Sequence, residues 1–283
     1  MTLARKAVLV DLNISSWSGR KLDRKVSQET TQAKGAARDA ARVNKNLFAG
    51  SDRLERINNF VSLARQEYYS MTLPWSTSGT RLLPFMQFFE FKDWVSQKEQ
   101  EFTGLVNTFL REYSTLISAQ AFRLGTMFDA KEYPSAAELA LKFRFSHTIM
   151  PLPETGDFRV DAENEFRTEL EEQYAKAYAE RTSVAMNDLW TRLYDTTKHM
   201  SEKCGLEKTQ FRESTLTNAL SLCDLLKKLN VTNDAQLEAR RLELERALLG
   251  LGIDDLRKDA SARKETKTKM DEILGKMAGV GIC

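Results

Sequence analysis

The sequence predicts a mainly α-helical protein: an elongated helical bundle with long antiparallel coiled-coil-like helices, a short N-terminal strand and a small β-hairpin. Three observations predict it. Proline and glycine are scarce, 5 and 13 of 283 residues, which favours long uninterrupted helices over a many-turned β fold. Hydrophobic residues make up 42% and charged residues 29%, enough to pack a core and too apolar for a disordered chain. Two stretches, 85–128 and 161–203, carry apolar side chains at alternating spacings of three and four, which line one face of a helix.

In chain order, AVLVDLNI at 7–14 is rich in β-branched and leucine side chains and reads as a strand or extended arm. From Arg20 to Phe48 a thin stripe of Leu22, Val26, Ala33, Ala37, Ala40, Val43 and Leu47 predicts a surface helix that Gly50 ends. Leu54, Ile57, Val61, Ala64 and Tyr68 predict a second helix over 52–71. Residues 72–84, bounded by Pro74 and Pro84, read as a loop. The stretch 85–128 follows, with Phe102, Val106, Phe109 and Tyr113 in its seam; as one helix it would be about 65 Å long. Gly104 and Gly125 are its expected bend or stop.

Ser135 is placed to cap a short helix over AAELALKF. RFSHTIM and DFRV, with PLPETG between them, read as a β-hairpin inserted at 129–160. The second long helix spans 161–203, its seam running through Phe166, Leu170, Tyr174, Leu189 and Leu193. Three shorter helices are expected after it: 206–229, one capped by Asn233 or Asp234, and a basic last one capped by Asp254. Lengthwise pairing of the two long helices buries both seams at once. The expected organisation is therefore 1–71 as N-terminal arm and helices, 72–205 as a long helical hairpin, and 206–283 as a C-terminal helical segment.

Net charge is only +2, smaller than a dedicated DNA-binding domain usually carries. Its distribution is uneven: 1–50 hold ten Lys/Arg against four Asp/Glu, while DAENEFRTELEE at 161–172 is strongly acidic. Both read as solvated faces, with mutual neutralisation as the alternative. The three cysteines, Cys204, Cys223 and Cys283, are odd in number and include no CxxC pair. A disulfide framework is not expected, and a reducing compartment, the cytoplasm of a bacterium or a phage-infected cell, fits. No run approaches the ~20 apolar residues of a membrane-crossing helix.

Motifs for chemistry are missing. The two histidines, His147 and His199, belong to no HExxH, and His199 with Cys204 has the wrong spacing for one helical face. No GxxxxGK[ST] occurs, and GVGI and LGLGI stand in the wrong context for a dinucleotide loop. No GxSxG nucleophile is present. The chain reads as a non-enzyme, with no catalytic residue, metal or cofactor assigned.

Three contact surfaces are candidates, one of them the basic last helix, RKDASARKETKTK, which reads first as a solvated face because its acids weaken the field. In WSGRKLDRK, Trp17 precedes Arg20, Lys21, Arg24 and Lys25; the ring would stack on a base while the cations meet phosphates. That reading predicts salt-sensitive single-strand binding in a gel shift, weakened by charge reversal of the four cations; no shift at low salt ends it. FMQFFEFKDW at 85–94 is aromatic enough to lie at a membrane surface, although it reads first as core at the start of the long helix. A membrane-active bundle would release liposome contents, and an absence of leakage disposes of it.

VLVDLNISSWSGRKLDRKVS, with YPSAAELALKFRF and PLPETGDFRV further on, resembles a family of uncharacterised bacterial and phage proteins. That family is helical, carries no established activity, and is often encoded beside a MoxR-type AAA+ ATPase and a von Willebrand A-type protein. The resemblance implies a component that acts with other proteins, as adaptor or substrate of such an ATPase system, and assigns no site residues. The expected function is thus an interaction or structural protein with protein partners, self-association among them. A strictly monomeric species by light scattering at high concentration would remove the self-association.

Overall fold

The computed structural model describes residues 2–154, 164–206 and 211–278. It is mainly helical with a small antiparallel sheet. The elements run β1 (Ala7–Ser15), β2 (Arg20–Leu22), α1 (Arg24–Ala33), β3 (Asn44–Asn46), α2 (Arg53–Met71), β4 (Leu73–Pro74) and β5 (Arg81–Pro84). They continue with α3 (Phe88–Leu124), α4 (Ala136–Ala140), β6 (Arg144–Pro151), α5 (Asn164–Gly205), α6 (Glu213–Leu229), α7 (Ala235–Leu248), α8 (Ile253–Lys258) and α9 (Ala260–Met277). No helix among the described residues is long and apolar enough to cross a membrane.

The residues divide into two compact units. One comprises Met1–Asp11, Tyr69–Lys92 and Thr148–Cys283; the other comprises Leu12–Tyr68 and Asp93–His147.

In the first unit, the N-terminal arm pairs within its own chain. β1 runs antiparallel to β5, with Ala7 opposite Pro84 and Val10 opposite Arg81. β4 runs antiparallel to β5, with Leu73 opposite Leu82. The stretch 72–84 is therefore a short hairpin, not a plain loop. Its turn closes by Ser76 N–H donating to the Thr80 carbonyl at 3.1 Å, with Gly79 at φ +106°, a conformation glycine adopts without a Cβ clash. The sheet order is β4-β5-β1-β6. RFSHTIM is thus the edge strand of a four-stranded sheet; its expected hairpin partner at 157–160 lies outside the described residues, as do 161–163 of the acidic run, 207–210 and the tail 279–283.

Helix α5 packs along α9 and against α6 and α7. Its buried Ala185, Leu189, Leu193, Met200 and Cys204 join Cys223, Leu226, Leu244, Met270 and Ile273 in one core, together with Leu73, Trp75 and Leu82. Arg192 on α5 donates to the carbonyls of Ser70 (2.7 Å), Tyr69 (2.8 Å) and Thr72 (2.9 Å). A guanidinium there satisfies carbonyls that the end of α2 leaves open and meets the negative end of its dipole. The basic last helix of the sequence reading is two helices: Asp259, not Asp254, caps the longer one through Ser261 N–H at 2.7 Å.

The second unit holds the seam of α3. Phe102, Val106, Phe109 and Tyr113 are buried with Ile57, Phe60, Val61 and Ala64 of α2 and with Ile14, Leu47 and Phe48. The buried residues of the 85–128 seam belong to the second unit's core, whereas Leu189 and Leu193 of the 161–203 seam belong to the first unit's. Amphipathic spacing dictates that a face be covered, not which segment covers it.

The helix expected over 20–48 is also absent as such. β2 pairs antiparallel with β3, Lys21 opposite Lys45. Only Arg24–Ala33 is helical, capped by Asp23, whose carboxylate accepts from Val26 N–H. Gly35 at φ +62° follows its end. Helix α2 matches its expected span; α4 starts where expected, with Ser135 and Glu138 forming a reciprocal capping box, but ends at Ala140, short of the expected AAELALKF. Helix α3 runs through Gly104 and ends before Gly125, at φ +51°.

Two phenols seal the second core. Tyr133 donates to the Leu47 carbonyl and Tyr113 to the Pro134 carbonyl, each at 2.8 Å. Burial pushes both up from 10.0 to about 12, helped for Tyr133 by the Glu132 charge. Between the unfolded and folded values the unfolded chain has lost protons that the folded one retains, so stability falls as pH rises through that window. We expect two tyrosinate absorbances to develop only together with loss of the folded circular dichroism. Complete tyrosine ionisation near pH 10 with the fold intact would contradict this.

Candidate functional site

The basic segment is only partly what its sequence suggests. Trp17 is half-buried and sits edge-on to Phe48, centroids 5.8 Å apart, and its carbonyl accepts from Asn58 at 3.4 Å. The ring proposed to stack on a base is engaged by the core. Arg20 and Lys21 lie on β2, and Arg24 and Lys25 on the first turn of α1; all four are exposed. Arg20 borders a pocket of about 280 Å³ with Ser18, Asn46, Ser51, Glu55 and Asn58. Cations at the start of α1 also face the positive end of that helix's dipole. The structure thus brings Trp17 and Arg20 to the two ends of one short turn, where Gly19, at φ +62°, brings its backbone against Leu54.

Groups weighed for chemistry are dispersed. His147 is exposed on β6 and His199 is exposed on α5. His199 borders a polar pocket of about 380 Å³ with Asp195, Lys203, Arg212 and Ser214. Cys204 and Cys223 are buried and unpaired, with thiols pushed up by burial, that of Cys223 to about 11. That direction keeps a thiol protonated and poorly nucleophilic. No group of three or more His, Cys, Asp or Glu placed to hold a metal occurs among the described residues.

The stretch 85–94, a candidate for a membrane surface that reads first as core, supplies a further surface. After β5 the chain makes a tight 3-10 turn, Phe85–Gln87, and enters α3 at Phe88. Phe85, Met86 and Phe89 stand 53%, 68% and 67% exposed, while Gln87 is buried at 3% and Phe91 fully. The usual inside–outside order is inverted over this turn. Positions 85, 88 and 89 have helical i, i+3, i+4 spacing, which groups their side chains. Phe85 stacks on Phe88 at 5.4 Å and 10°, and Phe89 meets both edge-on at 6.4 and 5.6 Å. Such ring pairs contribute about 0.5–1.5 kcal/mol each beyond area burial, so the platform is braced by its own members. Gln87 donates to Glu90 at 2.9 Å, and Glu90 is bound by Lys228 at the end of α6. Those two partners hold the Glu90 carboxyl below its ordinary value, Lys228 first. A contiguous group of this kind marks an interaction surface more often than a scattered apolar residue does. Composition raises 85–94 as a candidate surface but does not say which of its residues face outward, because an apolar residue's letter does not record which way it faces.

No family model, curated protein or solved structure matches this chain.

Proposed function

We propose that this chain acts by binding rather than by catalysis: an interaction protein of a bacterial or phage system that presents the 85–89 platform to a protein partner. The observation that supports it is the outward placement of Phe85, Met86 and Phe89 beside an inward Gln87. Exposing large apolar side chains sacrifices about 1.5–3 kcal/mol of burial for each, a sacrifice that binding to a partner recovers. The family resemblance makes a MoxR-type AAA+ ATPase or a von Willebrand A-type protein the partner class, with this chain as adaptor or substrate.

Photo-cross-linking from Met86 tests the reading. A benzophenone side chain at Met86 is expected to capture one of those two proteins in cells that make the full set. The same probe at the exposed Leu141 should not. Equal capture from both positions, or none from Met86, would remove the platform as the contact surface.

A further inference from the structure

Beside the platform lies a hollow of about 330 Å³. Its apolar walls are Pro84, Phe85, Met86 and Val231, and its charged lining is Arg5, Lys6 and Lys228, with no carboxylate. Among the described residues, two of these cations already have carboxylate partners, and Lys6 does not. Glu90 is taken by Lys228, and Glu154 lies 3.8 Å from the Arg5 guanidinium. The Lys6 ammonium donates to the Val231 carbonyl at 3.1 Å, and no carboxylate pairs with it among the described residues. A neutral carbonyl positions the ammonium and leaves its charge uncompensated. The Arg5 side chain is 71% exposed and open to a second acceptor.

We propose that the hollow receives an acidic, apolar segment of the partner protein. An apolar side chain enters between Phe85, Met86 and Val231, and a carboxylate next to it meets Lys6 and Arg5. The inference rests on the binding role proposed above and names the chemistry of what is bound. Concavity favours a peptide over a lipid surface. The hollow is sized for one or two side chains, and its cations border a cavity, whereas membrane-binding surfaces set theirs around a projecting apolar face. The walls are also pre-organised: Phe85 is braced by Phe88, and the Lys228–Glu90 pair joins the end of α6 to the start of α3. Pre-organisation lowers the ordering cost of association.

The test uses the full chain and a fluorescently labelled synthetic peptide alternating glutamate with leucine and phenylalanine. Two twins serve as controls, one with lysine for glutamate and one with serine for the apolar residues. Vesicles of phosphatidylserine and phosphatidylcholine form a separate arm. The variants are Met86→Ser with Phe89→Ser, and Arg5→Glu; all three side chains are exposed, and thermal melting verifies that each variant folds. We expect salt-sensitive anisotropy binding of the acidic probe, weakened at least about tenfold in both variants and with either twin, as for central contacts of an interface. Equal binding to wild type and variants overturns the inference, as does equal binding of the lysine twin. Vesicle binding without peptide binding, lost in the same variants, assigns the site to lipid and also overturns it. Capture of a protein from Met86 without binding of the acidic probe leaves the interaction role standing and removes only the acidic-peptide assignment.

Discussion

Replacing Phe48 with alanine is expected to lower stability by about 3–5 kcal/mol, the range for deleting a buried phenylalanine. Phe48 is 2% exposed and is the ring at which the second unit's aromatic side chains meet. Trp17, Phe109, Tyr113 and Tyr133 surround it at 5.8, 5.5, 5.9 and 5.7 Å between centroids. These neighbours come from the β1–β2 connection, α3 and the segment before α4, so the cavity left by truncation is walled by three separate stretches. Collapse of any one toward the gap is opposed by its other contacts, among them the Tyr133 bond to the Leu47 carbonyl. Phe48→Leu, which fills most of the volume, should lose well under half as much. Urea unfolding followed by near-ultraviolet circular dichroism reads both. A Phe48→Ala loss below about 1 kcal/mol would mean that the aromatic cluster does not hold the unit together.

The second large effect comes from a buried charge. Lys45 on β3 has a side chain only 6% exposed. Its ammonium lies 2.5 Å from Glu132, 3.8 Å from Asp23 and 2.7 Å from the Met127 carbonyl, to which it donates. Glu132 is itself only 15% exposed. Removing the cation leaves that carboxylate desolvated and uncompensated, a change that costs about 3–5 kcal/mol when one partner of a buried pair is deleted. Lys45→Met is expected to fall in that range. Lys45→Met combined with Glu132→Gln should recover part of the loss, because no lone charge remains. Additive effects in the double variant would show that the pair is not coupled. The contact also explains a residue that composition misreads: Lys45 counts among the basic excess of the first fifty residues, yet it is an interior cation and contributes nothing to a surface field.

What was legible in the sequence was local. The spacing of Leu54, Ile57, Val61 and Ala64 dictates α2; Ser135 with Glu138 dictates the start of α4; Asp234, which accepts from Gln236 and Leu237 N–H, starts α7. Each signal lies within one or two helical turns, where side chain and backbone meet directly. The β-branched run at 7–14 was likewise enough for β1. Strands of two to four residues were not legible: Leu73–Pro74 and Arg81–Pro84 are too short for alternation to register, and their flanking prolines imitate a loop. Residues 20–48 carried helix-forming composition, but the pairing of Arg20–Leu22 with Asn44–Asn46 overrode it. The partner of each long seam was illegible for a different reason. Leu189 and Phe109 are equally content against any apolar face, and the choice between faces is made by the whole packing. The stretch 85–94 was flagged by its aromatic composition, but which of its rings face outward was not legible, since Phe85 and Phe91 carry the same letter and face opposite surroundings.

The chain passes from one compact unit to the other four times, after Asp11, Tyr68, Lys92 and His147. Every passage falls inside a regular element: β1, α2, α3 and β6. Separately folding modules are usually joined by exposed connectors that can be trimmed. Here every junction is hydrogen-bonded backbone, so truncating the gene at any one of these points severs a strand or helix and deprives both cores of residues. Assigning roles to the two halves of this molecule therefore calls for point substitutions, not fragments.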